Sequence, residues 1–197
     1  MPWILHEKTY DESDVLWFGP KDVRDDERTR ILDGIHNPRF SGDPSMLPLK
    51  FRQNSEHTEF HAFMRGGMLG VILVNREFRD LLEEWDPGQS YYYPAVMHCK
   101  DGRILENEYY LHKFKTFIDD GIIVEKSDVQ PSVRRGEIRR YSSTALPKLV
   151  WRREKIKNRH VFADRFLASR FCVSDALMAA IEARNLSGFS KTESFEE

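Results

Sequence analysis

The chain has 197 residues, of which 40% are hydrophobic and 12% aromatic, so its composition is that of a globular protein and not of a disordered one. Its net charge of −2 argues against a protein built wholly around nucleic acid. No apolar run approaches the ~18 residues of a membrane span, and the N-terminus turns polar too soon for a signal peptide. The two cysteines, Cys99 and Cys172, lie far apart, and we expect a cytoplasmic protein with reduced thiols.

The first part of the chain predicts a helix, a loop and a buried strand. Sparse apolar residues over 21–38 indicate a helix that ends at Pro38. Turn-forming residues make 41–51 a loop that leads into a strand. The continuous apolar run of 69–75 contains three β-branched residues and fits a buried strand.

A long β-hairpin is predicted over 91–118. Asp101 and Gly102 form a two-residue turn signal between two arms that are rich in aromatic and β-branched residues. After Pro131 the sequence indicates further strands, which Pro147 interrupts. The polar tail 190–197 is expected to fray after its last strand.

Two segments, 69–85 and 168–184, share one pattern at a constant offset of 99 residues. In each segment an apolar strand ends at a residue whose side chain can cap a helix, Asn75 in the first and Ser174 in the second. Apolar residues then recur at helical spacing, and a short glycine-containing turn leads to an aromatic strand start. The sequence predicts a strand–capped helix–strand unit used twice as scaffold, although two unrelated helices would give the same pattern.

Several short patterns resemble chemical sites but lack an essential part. His57 and His61 have the spacing of two zinc ligands on a helix, yet no third ligand follows at a recognisable spacing. Adjacent residues of a strand point to opposite faces, so His98 and Cys99 do not form a base–nucleophile pair. The acidic turn at 119–121 lacks the other ligands of a calcium loop. We therefore predict no catalytic residue, no cofactor and no metal ion, and expect that the chain is not an enzyme.

Charge is distributed unevenly along the chain. Residues 134–170 contain twelve lysines and arginines against three acidic residues, whereas 7–33 and 76–128 are net acidic. Four aromatic residues interleave with the basic ones, namely Tyr141, Trp151, Phe162 and Phe166. The basic segment has three interpretations: solvated outward faces of strands, a surface for an acidic protein partner, or a nucleic-acid surface with stacking rings.

Three stretches together resemble a bacterial protein family: 74–102, 109–129 and 155–195. The most recognisable piece begins at Val173 and Ser174, continues through the following helix and ends at Gly188 and Phe189. This family was first catalogued as a domain of unknown function and then grouped as the immunity protein 11 family of polymorphic toxin systems.

The resemblance covers most of 69–195 and little of 1–68. Asn75 stands where the family usually has serine, and asparagine can cap a helix equally well. The resemblance implies a stoichiometric inhibitor that binds a toxin domain and blocks its site, and it brings no catalytic residue set.

The observations together predict an α+β fold: a mixed sheet, a strand–capped helix–strand unit used twice, and a long β-hairpin. We expect a single domain over 1–197 with a possible seam near residue 131, between lobes at 1–130 and 131–197. The predicted function is that of a non-catalytic, cytoplasmic immunity protein that neutralises a cognate toxin domain by binding it. The alternative is a nucleic-acid-associated module that uses 134–170, and no membrane partner is expected.

Two charged clusters are candidates for the partner-binding surface. The acidic cluster consists of Asp22, Asp25, Asp26 and Glu27, and the arginine cluster consists of Arg134, Arg135, Arg139 and Arg140. A basic toxin such as a nuclease would select the acidic cluster, and an acidic toxin would select the arginine cluster. By analogy with the many secreted bacterial toxin domains that attack nucleic acids, we favour the acidic cluster.

Overall fold

The computed structural model describes the backbone of residues 1–7, 17–18, 50–53, 60–66, 71–134, 136–143, 146–167 and 170–197. Over these residues strands predominate and helices are few, so the protein is of the predicted α+β class. The helix predicted at 21–38 and most of the loop predicted at 41–51 lie outside the described residues. Within the described part, no helix is both long enough and apolar enough to cross a membrane.

The described elements are mostly short strands. In chain order the strands are β1 (Trp3–Glu7), β2 (Trp17–Phe18), β3 (Lys50–Arg52), β4 (Phe63–Gly66), β5 (Val71–Asn75), β6 (Ser90–His98), β7 (Ile104–Phe114), β8 (Val129–Arg134), β9 (Glu137–Ser143), β10 (Val150–Trp151), β11 (Val161–Phe162), β12 (Phe171–Val173), β13 (Phe189–Glu193) and β14 (Phe195–Glu196). The helices are α1 (Arg76–Trp85), α2 (Arg153–Ile156) and α3 (Asp175–Ala183), with 3-10 turns at Val124–Lys126 and Arg165–Leu167.

The chain forms two compact units. The hairpin unit comprises Glu7–Lys115 and Asn185–Phe189, and the terminal unit comprises Met1–His6, Thr116–Arg184 and Ser190–Glu197. The predicted seam near residue 131 stays a prediction.

A six-stranded mixed sheet forms the hairpin unit, in the order β2–β3–β6–β7–β5–β4. Strands β3 and β6 are parallel, and the other neighbours are antiparallel. The predicted buried strand is β5, in which Ile72, Leu73 and Val74 are all buried. Successive side chains of a strand point to opposite faces, so both faces of β5 are covered. That is why its sequence is continuously apolar and does not alternate.

The two faces of this sheet are covered differently. Leu73 belongs to a core cluster formed by residues of five strands, together with Phe51, Met64, Ala95, Met97, Tyr109 and Leu111. Helix α1 packs on β5 and β7 and buries Phe78, Leu81 and Leu82. The Phe78 ring packs against two other phenylalanine rings. The distance between ring centres is 5.7 Å to Phe63 and 6.5 Å to Phe189.

The predicted hairpin is present as β6 and β7, but its loop has three residues and not two. Cys99 N donates to Arg103 O at 2.9 Å, and Gly102 N donates to Cys99 O at 3.1 Å. Lys100, Asp101 and Gly102 are therefore the loop, with Gly102 at φ +86°. A type I turn followed by a left-handed glycine is the usual three-residue hairpin connection. The two-residue prediction was wrong because a dipeptide signal does not show where pairing stops.

The terminal unit contains a sheet of order β11–β12–β1–β13, a parallel β10–β14 pair, and the separate β8–β9 pair. Helix α3 buries Leu177, Met178 and Ile181. The unit's core includes Ile4, Ile118, Ile122, Val129, Tyr141, Leu149, Trp151, Ile156, Phe162, Leu167 and Cys172.

The C-terminal tail is held by the terminal unit, so the predicted fraying was wrong. Ser194 is completely buried, and its N and Oγ both donate to Pro2 O, at 2.8 and 3.0 Å. Glu197 N donates to Trp151 O at 2.9 Å, and Arg153 N donates to Glu197 O at 2.7 Å. Three of these four bonds join backbone groups only, so the polarity of the tail's side chains did not reveal them.

Side-chain caps begin the two longer helices. Asn75 Oδ1 accepts from Phe78 N at 2.8 Å, and Ser174 Oγ accepts from Leu177 N at 3.1 Å. Each cap satisfies an amide that has no partner within the helix. The equivalence of the two segments as one unit used twice stays a prediction.

Candidate partner-binding surface

The predicted partner-binding residues that the structure describes lie on one β-ribbon. Strands β8 and β9 form an antiparallel pair that carries Arg134, Arg139 and Arg140, all of them exposed. Arg135 and the whole acidic cluster (Asp22, Asp25, Asp26, Glu27) lie outside the described residues. Neither cluster is therefore tested as a binding site. We refer to the β8–β9 pair as the ribbon.

The pairing of the two strands separates the ribbon's side chains into two faces. Val129, Pro131 and Val133 of β8 pair with Ser143, Tyr141 and Ile138 of β9 and share one face. Gln130, Ser132 and Arg134 pair with Ser142, Arg140 and Glu137 and share the other. A register shift after Ser132 leaves Arg139 as the extra residue of a β-bulge. The first face is mostly apolar, and the second is polar and carries two arginines.

The ribbon's inner end is part of the core, and its outer end is exposed. Val129 and Tyr141 are buried at the inner end, where the Tyr141 ring packs edge-on against Phe166 at 5.5 Å. Burial raises the pKa of the Tyr141 hydroxyl, which stays protonated and neutral. From 130 to 134 and from 136 to 140 every described residue is exposed. The apolar face thus continues outward from the core as Pro131, Val133 and Ile138.

The outer end carries unusual exposed groups of two kinds. Val133 is 58% exposed and Ile138 is 37% exposed, although both are large aliphatic residues. Arg139 pairs with Glu137 at 3.1 Å, and no acidic group of the described residues forms an ion pair with Arg134 or Arg140. The ribbon therefore presents aliphatic surface on one face and arginine charge on the other.

The other basic residues of 134–170 are placed differently. Three of them form ion pairs within the terminal unit: Arg152 with Asp120, Arg153 with Glu196, and Arg165 with Asp119. These pairs partly neutralise the basic segment outside the ribbon.

Most aromatic residues of the basic segment are not on the surface. Trp151 is 0% exposed, Phe162 1% and Tyr141 7%, and Phe166 is half-buried against Tyr141. The Trp151 ring packs on Phe162 in the core at 5.0 Å. Stacking with nucleic-acid bases requires accessible rings. The aromatic interleaving that suggested a nucleic-acid surface is thus a feature of the core.

One acidic surface within the described residues lies on α1. Glu77, Asp80 and Glu84 are exposed on the side of α1 opposite its buried stripe. Arg79 pairs with Asp80 at 2.6 Å and lies 4.3 Å from the centre of the Tyr110 ring. The hairpin unit therefore has an acidic helix face, and the terminal unit has a basic ribbon.

The sequence patterns that resembled chemical sites have structural partners. The turn at 119–121 is held by the buried carboxylate of Asp164, whose Oδ2 accepts from Gly121 N at 3.0 Å. Burial raises the pKa of the Cys99 and Cys172 thiols, which keeps these groups in the unreactive protonated form. His61 Nδ1 lies 3.2 Å from Ser187 Oγ, and His57 is outside the described residues.

A serine–histidine contact at the start of α3 is part of a helix cap. Ser174 Oγ lies 2.8 Å from His160 Nδ1 and accepts from Leu177 N. A serine nucleophile would need its oxygen directed at a substrate, whereas this oxygen is directed at the helix end. Among the described residues, no group of three or more His, Cys, Asp or Glu side chains could hold a metal ion.

Sequence reasoning identified the arginines of the ribbon but not its apolar face. The signal was present: Val129, Pro131 and Val133 alternate with polar residues, and Gly136 provides a turn at φ +80° before β9. Alternation does not distinguish an apolar face that meets a core from one that is left exposed.

A comparison with protein families identifies a match over most of the chain. The model of the immunity protein family Imm11 matches residues 6–194, which includes the ribbon and the region before residue 69. No curated protein matches the chain.

Proposed function

Because this chain belongs to the immunity protein family Imm11, we propose that it is a non-catalytic, cytoplasmic protein that neutralises one cognate toxin by binding the toxin domain in a one-to-one complex. The family match over residues 6–194 carries this proposal. It covers nearly the whole chain, so the function concerns both compact units.

The chemistry of the described residues supports a binding role. The thiols are buried and protonated, and the Ser174 hydroxyl caps a helix. The Asp164 carboxylate is used to hold a turn. These thiol, hydroxyl and carboxylate groups therefore contribute to the fold. A stoichiometric inhibitor requires no catalysis from them.

A stable framework is the first requirement of such an inhibitor, because a preorganised surface binds with a smaller entropic cost. We infer that the two strand–helix–strand segments, β5–α1–β6 and β12–α3–β13, are one scaffold unit used twice. The side-chain caps at Asn75 and Ser174 support this inference. Each helix also buries one apolar stripe.

Complementary charge is the second requirement. The acidic cluster at 22–27 would meet a toxin that is basic where it holds nucleic acid, and the arginine cluster would meet an acidic toxin. In either case one charged surface steers association and sets specificity. The toxin's active site is then blocked by the bound protein.

Co-expression tests the proposal directly. The toxin domain encoded by the neighbouring gene should arrest growth when produced alone, and this protein should restore growth. An immunity protein from an unrelated toxin system is the control and should not restore it. Purified, the protein and the catalytically inactivated toxin domain should co-elute with the mass of a one-to-one complex. Growth arrest that this protein does not relieve, with no complex formed, would disprove the proposal.

A further inference from the structure

The strongest unexplained feature of the described surface is the outer end of the ribbon. We propose that this end, with Val133 and Ile138 on one face and Arg134 and Arg140 on the other, is the specificity-determining contact with the toxin domain. The partner surface it fits is a protein cleft with an apolar pocket and a rim of carboxylates. This inference rests on the proposed function and adds to it which residues make the contact.

The first argument comes from burial. An isolated two-stranded ribbon is only marginally stable in water, and it usually needs a covered apolar face. In this ribbon the apolar face is covered at Val129 and Tyr141 but uncovered at Val133 and Ile138. A contiguous exposed apolar patch rimmed by polar residues marks an interaction site, and Val133 and Ile138 are direct cross-strand neighbours on this face. The outer end of the ribbon is not part of the core, since the described residues of that end are exposed on both faces of the ribbon.

The second argument comes from charge. The ribbon at 129–143 has four arginines and one glutamate in its sequence, and Glu137 already pairs with Arg139. Arginine is enriched in protein interfaces, because its planar guanidinium can form two parallel hydrogen bonds to a carboxylate. A ribbon inserted in a cleft contacts the partner with both faces. Val133 and Ile138 would then enter the apolar pocket while Arg134 and Arg140 meet the acidic rim.

Two other occupants fit the ribbon less well. A nucleic acid would be bound by stacking as well as by charge, and the described ribbon offers no exposed aromatic ring. A second copy bound ribbon to ribbon would bring two positive ends together, which is unfavourable. An acidic protein surface satisfies both the aliphatic and the cationic groups.

The test measures binding of the inactivated toxin domain encoded by the neighbouring gene, by biosensor kinetics at low ionic strength. The double variant Val133→Ser/Ile138→Thr shortens the apolar face, and its matched control is Ile104→Thr, at a residue that is 54% exposed in the hairpin unit. The double variant Arg134→Glu/Arg140→Glu reverses two charges. Its control, Lys155→Glu/Lys157→Glu, makes the same change of net charge at exposed positions of the same unit.

The two ribbon variants should act on different rate constants. Loss of the aliphatic groups should raise Kd about 30-fold, mainly through faster dissociation. Charge reversal should lower the association rate about tenfold. Each control should change Kd less than about threefold. Thermal unfolding of every variant should match the wild type, because Val129 and Tyr141 at the ribbon's inner end are unchanged.

Failure of this inference is distinguishable from failure of the proposed function. If the wild type binds the toxin and both ribbon variants bind within about threefold of it, the ribbon is not the contact, and the proposed function stands. If the wild type neither binds nor rescues, both are wrong. Two further results would also overturn the inference: binding of a mixed-sequence oligonucleotide that Arg134→Glu/Arg140→Glu abolishes, or a homodimer that Val133→Ser/Ile138→Thr dissociates.

Discussion

The β6–β7 hairpin and the β8–β9 ribbon have the same local architecture and opposite surroundings. Each is an antiparallel pair closed by a turn with a left-handed glycine, Gly102 or Gly136. In the sheet, β6 also pairs with β3, and β7 also pairs with β5. In contrast, β8 and β9 pair only with each other among the described strands. Where β5 flanks β7 the first pair is part of the core, whereas the second pair has no neighbouring strand among the described ones and is exposed along most of its length.

Burial along the two pairs shows the consequence. All residues from Tyr109 to Phe114 of β7 are buried, so both faces of that strand are covered. On the ribbon only Val129 and Tyr141 are buried. A β-hairpin motif therefore does not indicate whether its residues stabilise the fold or contact a partner.

Truncation of one core residue gives the largest expected effect and tests this comparison directly. Leu111 is 0% exposed and belongs to the core cluster of the hairpin unit. Leu111→Ala should lower the free energy of unfolding by about 2–5 kcal/mol, since it removes apolar contacts and leaves a cavity. Val133→Ala on the ribbon should change it by less than about 0.5 kcal/mol. Chemical denaturation of the two variants measures both values, and equal losses would contradict the distinction.

Acid should destabilise the hairpin through a buried histidine. Burial lowers the pKa of His112 from its ordinary 6.5 to about 3. The unfolded chain takes up a proton below about pH 6.5 while the folded chain does not, so this contribution to stability is present above that pH and is lost as the pH falls toward 3. Between about pH 6 and 4 the wild type should lose about 1.4 kcal/mol per pH unit more than His112→Gln.

Denaturant titrations of the wild type and of His112→Gln at several pH values measure that difference. Parallel curves for the two proteins would show that His112 is not kept neutral by the fold.

Salt should slow toxin binding, if the proposed function is correct. Charged surfaces steer association over distances that ions screen within about 8–10 Å at physiological ionic strength. The association rate should fall about tenfold between about 20 mM and 500 mM salt, which corresponds to about 1.4 kcal/mol. Stopped-flow measurements at both concentrations decide this. A rate indifferent to salt, or one reduced equally by reversing either charged cluster, would refute a single electrostatically selected face.

The helix caps give the smallest expected effect. Ser174→Ala and Asn75→Ala each remove an acceptor for one helix amide, and each should cost about 1 kcal/mol, within a range of about 0.5–2. Ser142→Ala on the polar face of the ribbon is the control and should be nearly neutral. Chemical denaturation compares the three variants. Unchanged midpoints for both cap variants would remove the main support for a scaffold unit used twice.

Local signals predicted much of this fold. The apolar run before Asn75, the cap residues Asn75 and Ser174, and the arms of the β6–β7 hairpin could all be identified, because each depends on residues close in sequence. The three-residue loop at 100–102 was not predicted, because its length depends on where the strands stop pairing.

The candidate site was only partly predictable. Composition identified the arginines at 134–140, and Arg134, Arg139 and Arg140 are exposed in the structure, but their role in binding stays a prediction. A nucleic-acid surface with stacking rings was one of the three interpretations of the same segment, and Trp151 and Phe162 are instead completely or almost completely buried. Basic and aromatic residues alternate both on nucleic-acid surfaces and in strands whose one face meets a core, so the pattern alone does not separate the two cases.

The sequence by itself determined the α+β class and the positions of the helix caps, because short-range spacing encodes both, and the resemblance of three stretches to a known family indicated the family. Only the tertiary structure decided that the tail around Ser194 is held by Pro2, that the Trp151 ring lies in the core, and that Val133 and Ile138 stay exposed. The physical reason is that burial is a property of what lies opposite a residue. A strand's own sequence specifies which side chains share a face, whereas its neighbours in space decide whether that face becomes core or surface.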